Sequence, residues 1–453
     1  MPDKRPNILF AISDDQSWVH TGTTGDPVVK TPVFDRVAEE GVLFSNTFCA
    51  APTCTASRGS VCTGRNSWEL QEGGNLWSTL PAEFDCYPDL LQAAGYHVGV
   101  TRKGWGPGRV EPGGRAVNAA GPGYKDFGAF MQARDTDQPF CFWFGSHDPH
   151  RPYELGAGVA SGMNLDDIRV PPFMPDSEAV RSDIADYLFE CERYDRETGE
   201  MIARLEEIGE LDNTLVVVTS DNGMPFPRAK ANLYDFGTRM PHAVRWGDRV
   251  PAGREVSDFI SFIDFAPTFL EAAGLEIPET MSGKSFLDVL ESSSSGRVDE
   301  SRDSVCTGRE RHAWCREGLG YPIRALRTDA HLYIRNFEPD RWPAGEGEIF
   351  RDIDDGPSKS YMMDQRDEHG RLFDLAFGKR PLEELYDLKR DPNQMSNVAD
   401  DATCADAKSG LWARLEGRMK STGDLRAVGG AELWDLNEYY GNRDKPLKRD
   451  TPG

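Results

Sequence analysis

The sequence predicts an α/β protein, with a doubly wound mixed sheet flanked by helices over residues 1–320 and a smaller α+β domain carrying an antiparallel sheet over 321–453. Three observations predict this. Four short apolar runs are continuous rather than alternating, the pattern of strands buried on both faces. Helical stretches separate these runs, the alternation that winds a parallel sheet. After Glu291-Ser292-Ser293-Ser294-Ser295-Gly296, a surface loop by composition, the pattern changes to short strands at hairpin spacing.

In chain order, the first run, Asn7 to Ser13, ends at Asp14-Asp15-Gln16. Pro32 to Glu40 and Tyr87 to Ala94 are short amphipathic helices, the second stopped by Gly95. The second run, Tyr96 to Thr101, ends at Arg102-Lys103, and the third, Phe140 to Ser146, ends at His147-Asp148-Pro149-His150. The clearest helix spans Ser182 to Ile208, with Ile184, Leu188, Cys191, Asp195, Thr198, Ile202 and Leu205 on one stripe. The fourth run, Leu215 to Ser220, ends at Asp221-Asn222-Gly223, and Ile260 to Ala273 is a further helix stopped by Gly274. Tyr321 to Phe337 reads as a hairpin turning at Thr328-Asp329, Leu385 to Leu388 as a short strand, and Ala405 to Met419 as a terminal helix.

Composition limits the function. The chain has 453 residues, 38% of them hydrophobic, and a formal net charge of −24. That charge disfavours nucleic acid, whose phosphates it repels. No apolar run approaches the ~20 residues needed to cross a bilayer, so no membrane partner is expected. Nine scattered cysteines without a C-x-x-C pair argue against a disulfide framework and fit a reducing compartment. The start, Met1-Pro2-Asp3-Lys4-Arg5-Pro6, runs directly into a strand with no visible signal peptide, so either a cytoplasmic location or a leader trimmed from the chain is expected.

Ligands of open α/β sheets bind beyond the carboxyl ends of the strands, and here four strands release polar or titratable residues at that point. Asp14-Asp15 or Asp221-Asn222 alone reads as a strand-terminating turn. Together they form an all-oxygen set suited to Ca²⁺ or Mg²⁺ rather than zinc.

The pentad Cys54-Thr55-Ala56-Ser57-Arg58, followed by Thr63-Gly64-Arg65, resembles the C-x-[PA]-x-R…T-G-R signature of the type I sulfatases. The likeness extends to Asp14-Asp15, Lys103, His150 in H-D-P-H-R-P, Asp221-Asn222-Gly223, and Lys230 in K-A-N-L-Y-D-F-G-T-R-M-P. It ends in Glu384-Leu385-Tyr386-Asp387-Leu388 with Asp391-Pro392 and Asn397. The segments around His147, Asp221, Val170 to Pro175 and Asn232 are similar to the sulfamidase (heparan N-sulfatase) branch.

The resemblance implies an alkaline-phosphatase-like fold and hydrolysis of sulfate esters or sulfamates, on a sulfated saccharide. It implies that a maturation enzyme converts Cys54 to formylglycine, whose hydrated aldehyde attacks sulfur. Asp14, Asp15, Asp221, Asn222 and residue 54 would hold the cation, commonly calcium. Arg58 would help hold the diol, Lys103 and Lys230 would neutralise sulfuryl oxygens, and His150 would protonate the leaving atom. Trp105 stands where many members carry a histidine base. His147 is the nearest substitute in sequence, though a histidine there could equally hydrogen-bond a strand end.

Glu310, Arg311, His312 and Arg324, with Asp340-Arg341-Trp342, combine charge with aromatic surface as a sugar subsite would, and a solvated loop explains them equally well. Two other readings stand beside the sulfatase: a phosphonate monoester or phosphodiester hydrolase of the same superfamily, and a glycan-binding pseudoenzyme in which Cys54 stays a thiol.

Overall fold

The computed structural model describes residues 5–443 apart from residue 348. A seven-stranded sheet forms the core, in the order His97–Arg102, Phe140–Gly145, Asn7–Ser13, Thr214–Ser220, His242–Arg245, Val42–Phe44, Arg254–Val256. The four long strands, which are the four apolar runs, lie parallel. The short strand His242–Arg245 is antiparallel to both its neighbours, which makes the sheet mixed. All seven residues of Asn7–Ser13 are buried because the strand is covered on both faces. Ile8, Phe10 and Ile12 point into one core with Trp143, Phe265 and Phe269, while Leu9 and Ala11 point into another with Phe142, Phe144 and Ile202. Burying a side chain the size of Phe10 contributes roughly 2 kcal/mol. Two-sided burial is therefore why the run shows no polar alternation.

The long helix spans Glu178–Glu207, four residues earlier than predicted at its start, because the Ser177 hydroxyl accepts from the Val180 amide and caps it. The acid on its apolar stripe has a structural use. Asp195 accepts from the amides of Val33 and Phe34 at 3.0 and 2.8 Å, capping the helix Pro32–Glu39, whose own N-cap Thr31 makes no side-chain capping bond to a helix amide. The predicted helix Ile260–Ala273 begins later, at Phe265–Ala272. Ile260–Ser261 is a strand, and the Asp264 carboxylate accepting from the Ser261 amide turns the chain into the helix.

The smaller sheet is four-stranded and antiparallel, in the order Ser304–Arg309, Ile323–Thr328, His331–Asn336, Glu383–Asp387. The predicted hairpin forms its centre, but its first strand lies upstream of the boundary expected at residue 321. Leu411, Leu415 and Met419 of the helix Ala405–Ser421 cover one face against Leu326 and Tyr333. The other face packs Ile323, Leu332, Ile334 and Tyr386 against Leu233 and Tyr234. That second contact joins the small sheet to the segment carrying Lys230. Among the described residues no helix is long and apolar enough to cross a membrane.

Candidate active site

Register aligns the strand ends. Ser13 pairs with Ser220, and Ile12 with Gly145, so Asp14, Asp221 and His147 leave the sheet at one level. The Asp14 amide donates to the Asp148 carbonyl and the Asp221 amide to that of Ser13, which ties the three exits together. Asp15 turns with φ 74°, a left-handed conformation that aspartate tolerates better than most residues.

Cys54 opens the helix Cys54–Thr63, all ten residues of which are buried. Gly64 ends that helix at φ 66°, where its amide closes on the Ser60 carbonyl, so the glycine of Thr63-Gly64-Arg65 is a left-handed cap. The helix places the Cys54 Sγ 3.5 Å from Asp14 Oδ1. One side-chain atom each from Asp14, Asp15, Cys54 and Asp221 lie within 4.8 Å of one another.

Cations frame this cluster. The Arg58 guanidinium donates to Asp221 at 2.7 Å and to the carbonyls of Lys103 (2.7 Å), Gly104 (3.3 Å) and Ser13 (3.4 Å). Its donors are thus spent on the protein, so Arg58 positions the strand ends rather than offering a free contact. Lys103 Nζ lies 2.5 Å from Asp14, and Lys230 Nζ lies 2.5 and 2.6 Å from the two oxygens of Asp15. Burial raises the Asp14 carboxyl, but Lys103 first, then His150, Arg58 and Lys230, outweigh it and hold the group far below the usual range. Burial, with Asp221 beside it, pushes the Cys54 thiol well above its ordinary value.

The donor set fits a hard divalent cation. Asp14, Asp15 and Asp221 supply carboxylate oxygens at the strand ends, and the buried Asn222 Oδ1 accepts no hydrogen bond from the described residues, though Asn222 Nδ2 donates to Asp15. A buried carbonyl oxygen without a donor is costly, by ~1–3 kcal/mol, unless something else satisfies it. A cation would do so.

His150 Nδ1 lies 2.6 Å from the Arg151 carbonyl, which can only accept, so Nδ1 carries the proton and Nε2 faces Asp15 at 3.8 Å. His147 is exposed at the mouth of a cleft of about 660 Å³, lined by Trp77, Lys103, Trp105, His147, His150 and Arg151 among others. Burial lowers the His147 pKa from its ordinary value, with Asp14 opposing and Lys103 assisting. Trp105 is 4% exposed. Its indole lies against Gly59 of the Cys54 helix and against Gly108, and Asn118 holds its backbone at 2.8 Å from both sides. The residue at the expected histidine position is a packing piece.

The C-terminal motif acts at a distance. Glu384 accepts from the hydroxyls of Tyr234 and Tyr386 at 2.7 and 2.6 Å, and Asn397 Oδ1 accepts from the Leu385 amide. Tyr234 in turn stacks under Arg228, so this chain of contacts fixes the turn that presents Lys230.

The expected sugar subsite is different. Arg324 is buried between Asp424 and Glu310, at 2.6 Å from each, and Glu310 is held again by Arg426 at 2.7 Å. Arg311 donates to the carbonyls of Asn437 and Glu438. These three are neither a sugar subsite nor a solvated loop; they are buried and engaged by partners inside the protein. His312 is buried against Thr53, its Nδ1 2.9 Å from the hydroxyl that precedes Cys54, and burial lowers its pKa to about 3. Trp342 is 37% exposed and does not line the cleft.

Sequence reasoning passed over Asp354. Its carboxylate joins Asp15 and His150 in a second cluster of ligand-type atoms within 4.8 Å of one another, with Lys230 Nζ 3.7 Å from its Oδ2. Nothing in Asp352-Ile353-Asp354-Asp355 distinguishes the middle acid, because its nearness to strand ends more than a hundred residues earlier is tertiary.

Comparison with known proteins agrees with this geometry. The sulfatase family model matches residues 6–107 and 124–275. An ulvan-active sulfatase of Formosa agariphila is 27% identical over 99% of this chain and 86% of its own length. The N-sulphoglucosamine sulphohydrolase of Homo sapiens is 27% identical over 87% of this chain and 86% of its own. A solved protein in complex with its substrate D-glucosamine-2-N,6-O-disulfate superposes with TM-score 0.69 at 22% identity, covering 93% of this chain and 99% of that one. A phosphonate monoester hydrolase of Agrobacterium radiobacter shares the fold with TM-score 0.65 at 17% identity, covering 92% of this chain and 96% of that one. With the family model matching more than half of its residues, and Cys54, Asp14 and Asp221 converging at the strand ends, this chain belongs to the sulfatase family of sulfuric ester hydrolases.

Proposed function

We propose that this protein hydrolyses sulfate esters or sulfamates of a saccharide, using formylglycine made from Cys54 and one divalent cation, Ca²⁺ or Mg²⁺, held by Asp14, Asp15, Asp221 and Asn222. The observation that carries this reading is the convergence of three buried carboxylates and three cationic side chains on Cys54. The saccharide rests on the cleft, where the partly exposed Trp77 offers a ring face to a sugar, and on the relatives, two of which are named for ulvan and for sulphoglucosamine.

The bound cation would polarise a sulfuryl oxygen and the hydroxyl at residue 54, and the hydrated aldehyde would supply the nucleophile. The chain's own residues do the rest. Arg58 keeps Asp221 and the Lys103 and Gly104 carbonyls in place, so little reorganisation is needed when charge shifts. Lys103, bound to Asp14, and Lys230, bound to Asp15, neutralise the remaining sulfuryl oxygens. His150, with Nδ1 tied to the Arg151 carbonyl, presents Nε2 to the leaving atom as general acid. His147, kept neutral by its surroundings, takes the proton of the diol in place of the histidine that Trp105 replaces.

Cys54 is 3% exposed, so a maturation enzyme must act on it before the fold closes. Peptide mass spectrometry of residue 54, followed by a sulfate-release assay beside a phosphonate monoester assay, tests the proposal. Formylglycine with sulfate release dominant is expected. A full-occupancy thiol, or faster phosphonate hydrolysis, overturns it. The phosphonate assay is included because that enzyme class shares this fold and the two anions differ little in shape.

A further inference from the structure

In the segment Asp352-Ile353-Asp354-Asp355, the outer acids are used by the protein. Asp352 binds Arg316 at 2.7 Å and accepts from the Ala313 amide at 2.8 Å. Asp355 binds Lys359 at 2.8 Å, and the same ammonium donates to the carbonyls of Phe350 and Ile353, pinning the segment. Gly356 lies so close to Arg151 that a Cβ there would sit 2.5 Å from the guanidinium carbon. Asp354 is the exception. Its Oδ2 is buried and accepts no hydrogen bond from the described residues, and the Lys230 ammonium 3.7 Å away is its counter-charge.

The position of this spare acceptor has chemical content. The Asp354 carboxylate shares a cluster within 4.8 Å with a His150 ring nitrogen and an Asp15 oxygen, and its Oδ2 lies 3.7 Å from Lys230 Nζ. In the reading above, His150 is the general acid and Lys230 a neutralising charge for the sulfuryl oxygens. On that reading, a carboxylate this near both groups is within reach of the bridging atom between sulfur and sugar. In a sulfate ester that atom is an oxygen with lone pairs only, and a carboxylate next to it is repulsive. In a sulfamate it is a nitrogen bearing one hydrogen, and a carboxylate next to it accepts a hydrogen bond. A site built to accept from a substrate N–H discriminates against an analogue lacking it, because its own buried group is then left unpaired.

Resting on the sulfatase reading above, we infer that Asp354 is a specificity-determining residue that accepts the N–H of an N-sulfo amino sugar and so selects sulfamates over sulfate esters. The residue acts in binding the bridging nitrogen; His150 still delivers the proton with which the amine departs as the S–N bond breaks.

The test compares kcat/KM for N-sulfoglucosamine and glucosamine 6-O-sulfate in protein shown by mass spectrometry to carry formylglycine. The native protein should favour the N-sulfo substrate. In Asp354→Ala the ratio of the two kcat/KM values should fall about 10- to 100-fold, the loss expected for a hydrogen bond to a charged group. Asp354→Asn, which keeps one acceptor oxygen, should fall less. Calorimetric affinities of both sugars for the Cys54→Ala protein, with and without Asp354→Ala, give the same comparison independently of turnover. An equal loss on both substrates, or a native preference for the ester, overturns the assignment while the sulfatase reading stands. Release of sulfate from neither substrate sinks both.

Discussion

Around the small sheet, Arg324, Glu310, Asp424 and Arg426 bury their charges completely and close on one another, each carboxylate meeting a guanidinium at 2.6–2.7 Å. At the strand ends, Asp14, Asp15, Asp221, Arg58 and Lys230 bury charge as deeply, with Lys103 half-buried, yet leave acceptors over: Asn222 Oδ1 and, beside Lys230, Asp354 Oδ2. The first network has no valence to offer a ligand. The second borders the cleft and has acceptors without donors. Charge density and burial are alike in the two regions, so neither identifies a site. Unsatisfied acceptors that border the cleft and the carboxylate cluster do, because a buried acceptor left there without a donor is costly unless something else binds it.

The largest test of the contrast is to remove the nucleophile. Cys54→Ala should lower kcat by at least about 10⁴-fold, the scale of losing an activated nucleophile, while leaving the melting temperature nearly unchanged. Chelation should abolish activity of the native protein, and calcium or magnesium should restore it. A chelator-resistant enzyme would remove the cation from the reading.

Next is the closed network. Arg324→Ala leaves Asp424 in the interior without its guanidinium and Glu310 with Arg426 alone, and should cost about 3–5 kcal/mol of stability in denaturant titrations, with the activity of the folded fraction kept. Replacing Glu310, Arg324 and Asp424 together with apolar residues of similar volume should cost far less. If it costs as much, the network is more than structural. Lys230→Ala reverses the pattern, lowering kcat by about 10²–10³-fold, the range for one charge-stabilising donor, measured as sulfate release.

The smallest effect is on pH dependence. Burial raises Glu190 from its ordinary 4.5 to about 7, with Arg193 opposing and Asp148 assisting. The folded state therefore keeps a proton that the unfolded state loses. Stability contributed by this group is complete below about pH 4.5 and is lost as the pH rises to about 7. Glu190→Gln should flatten that part of the stability curve, followed by thermal melting across pH 4–8; an unchanged slope would assign the dependence to other groups.

Much of the site was legible because its parts are local. Strand ends, the Cys54 pentad with its capping Gly64, and the Lys230 segment each occupy a few consecutive residues, and a resemblance can be carried by each. Arg58 was legible as a site residue but not in its role, since only the fold shows the three carbonyls that use up its donors. Glu310, Arg311 and Arg324 misled for the same reason: a charged cluster in sequence gives no sign of whether its partners, here Asp424, Arg426 and the Asn437 and Glu438 carbonyls, arrive from a hundred residues away. The split of the helix expected at Ile260 was missed because the capping turn at Ser261-Asp264 competes with apolar periodicity over the same few positions.

What the order of residues settled unaided is the framework: four buried strands, the helices between them, the acids at the strand ends and the cysteine beside an arginine. These follow from short-range physics, since hydrophobic period and turn chemistry act within about ten residues. Tertiary structure alone decided which charges meet. It closed Arg324 inside the small sheet, turned Trp105 into packing behind the Cys54 helix, and brought Asp354 beside His150 and Lys230. Charged groups far apart in the chain interact only at distances of a few ångströms, and those distances exist only once the sheet has aligned its ends.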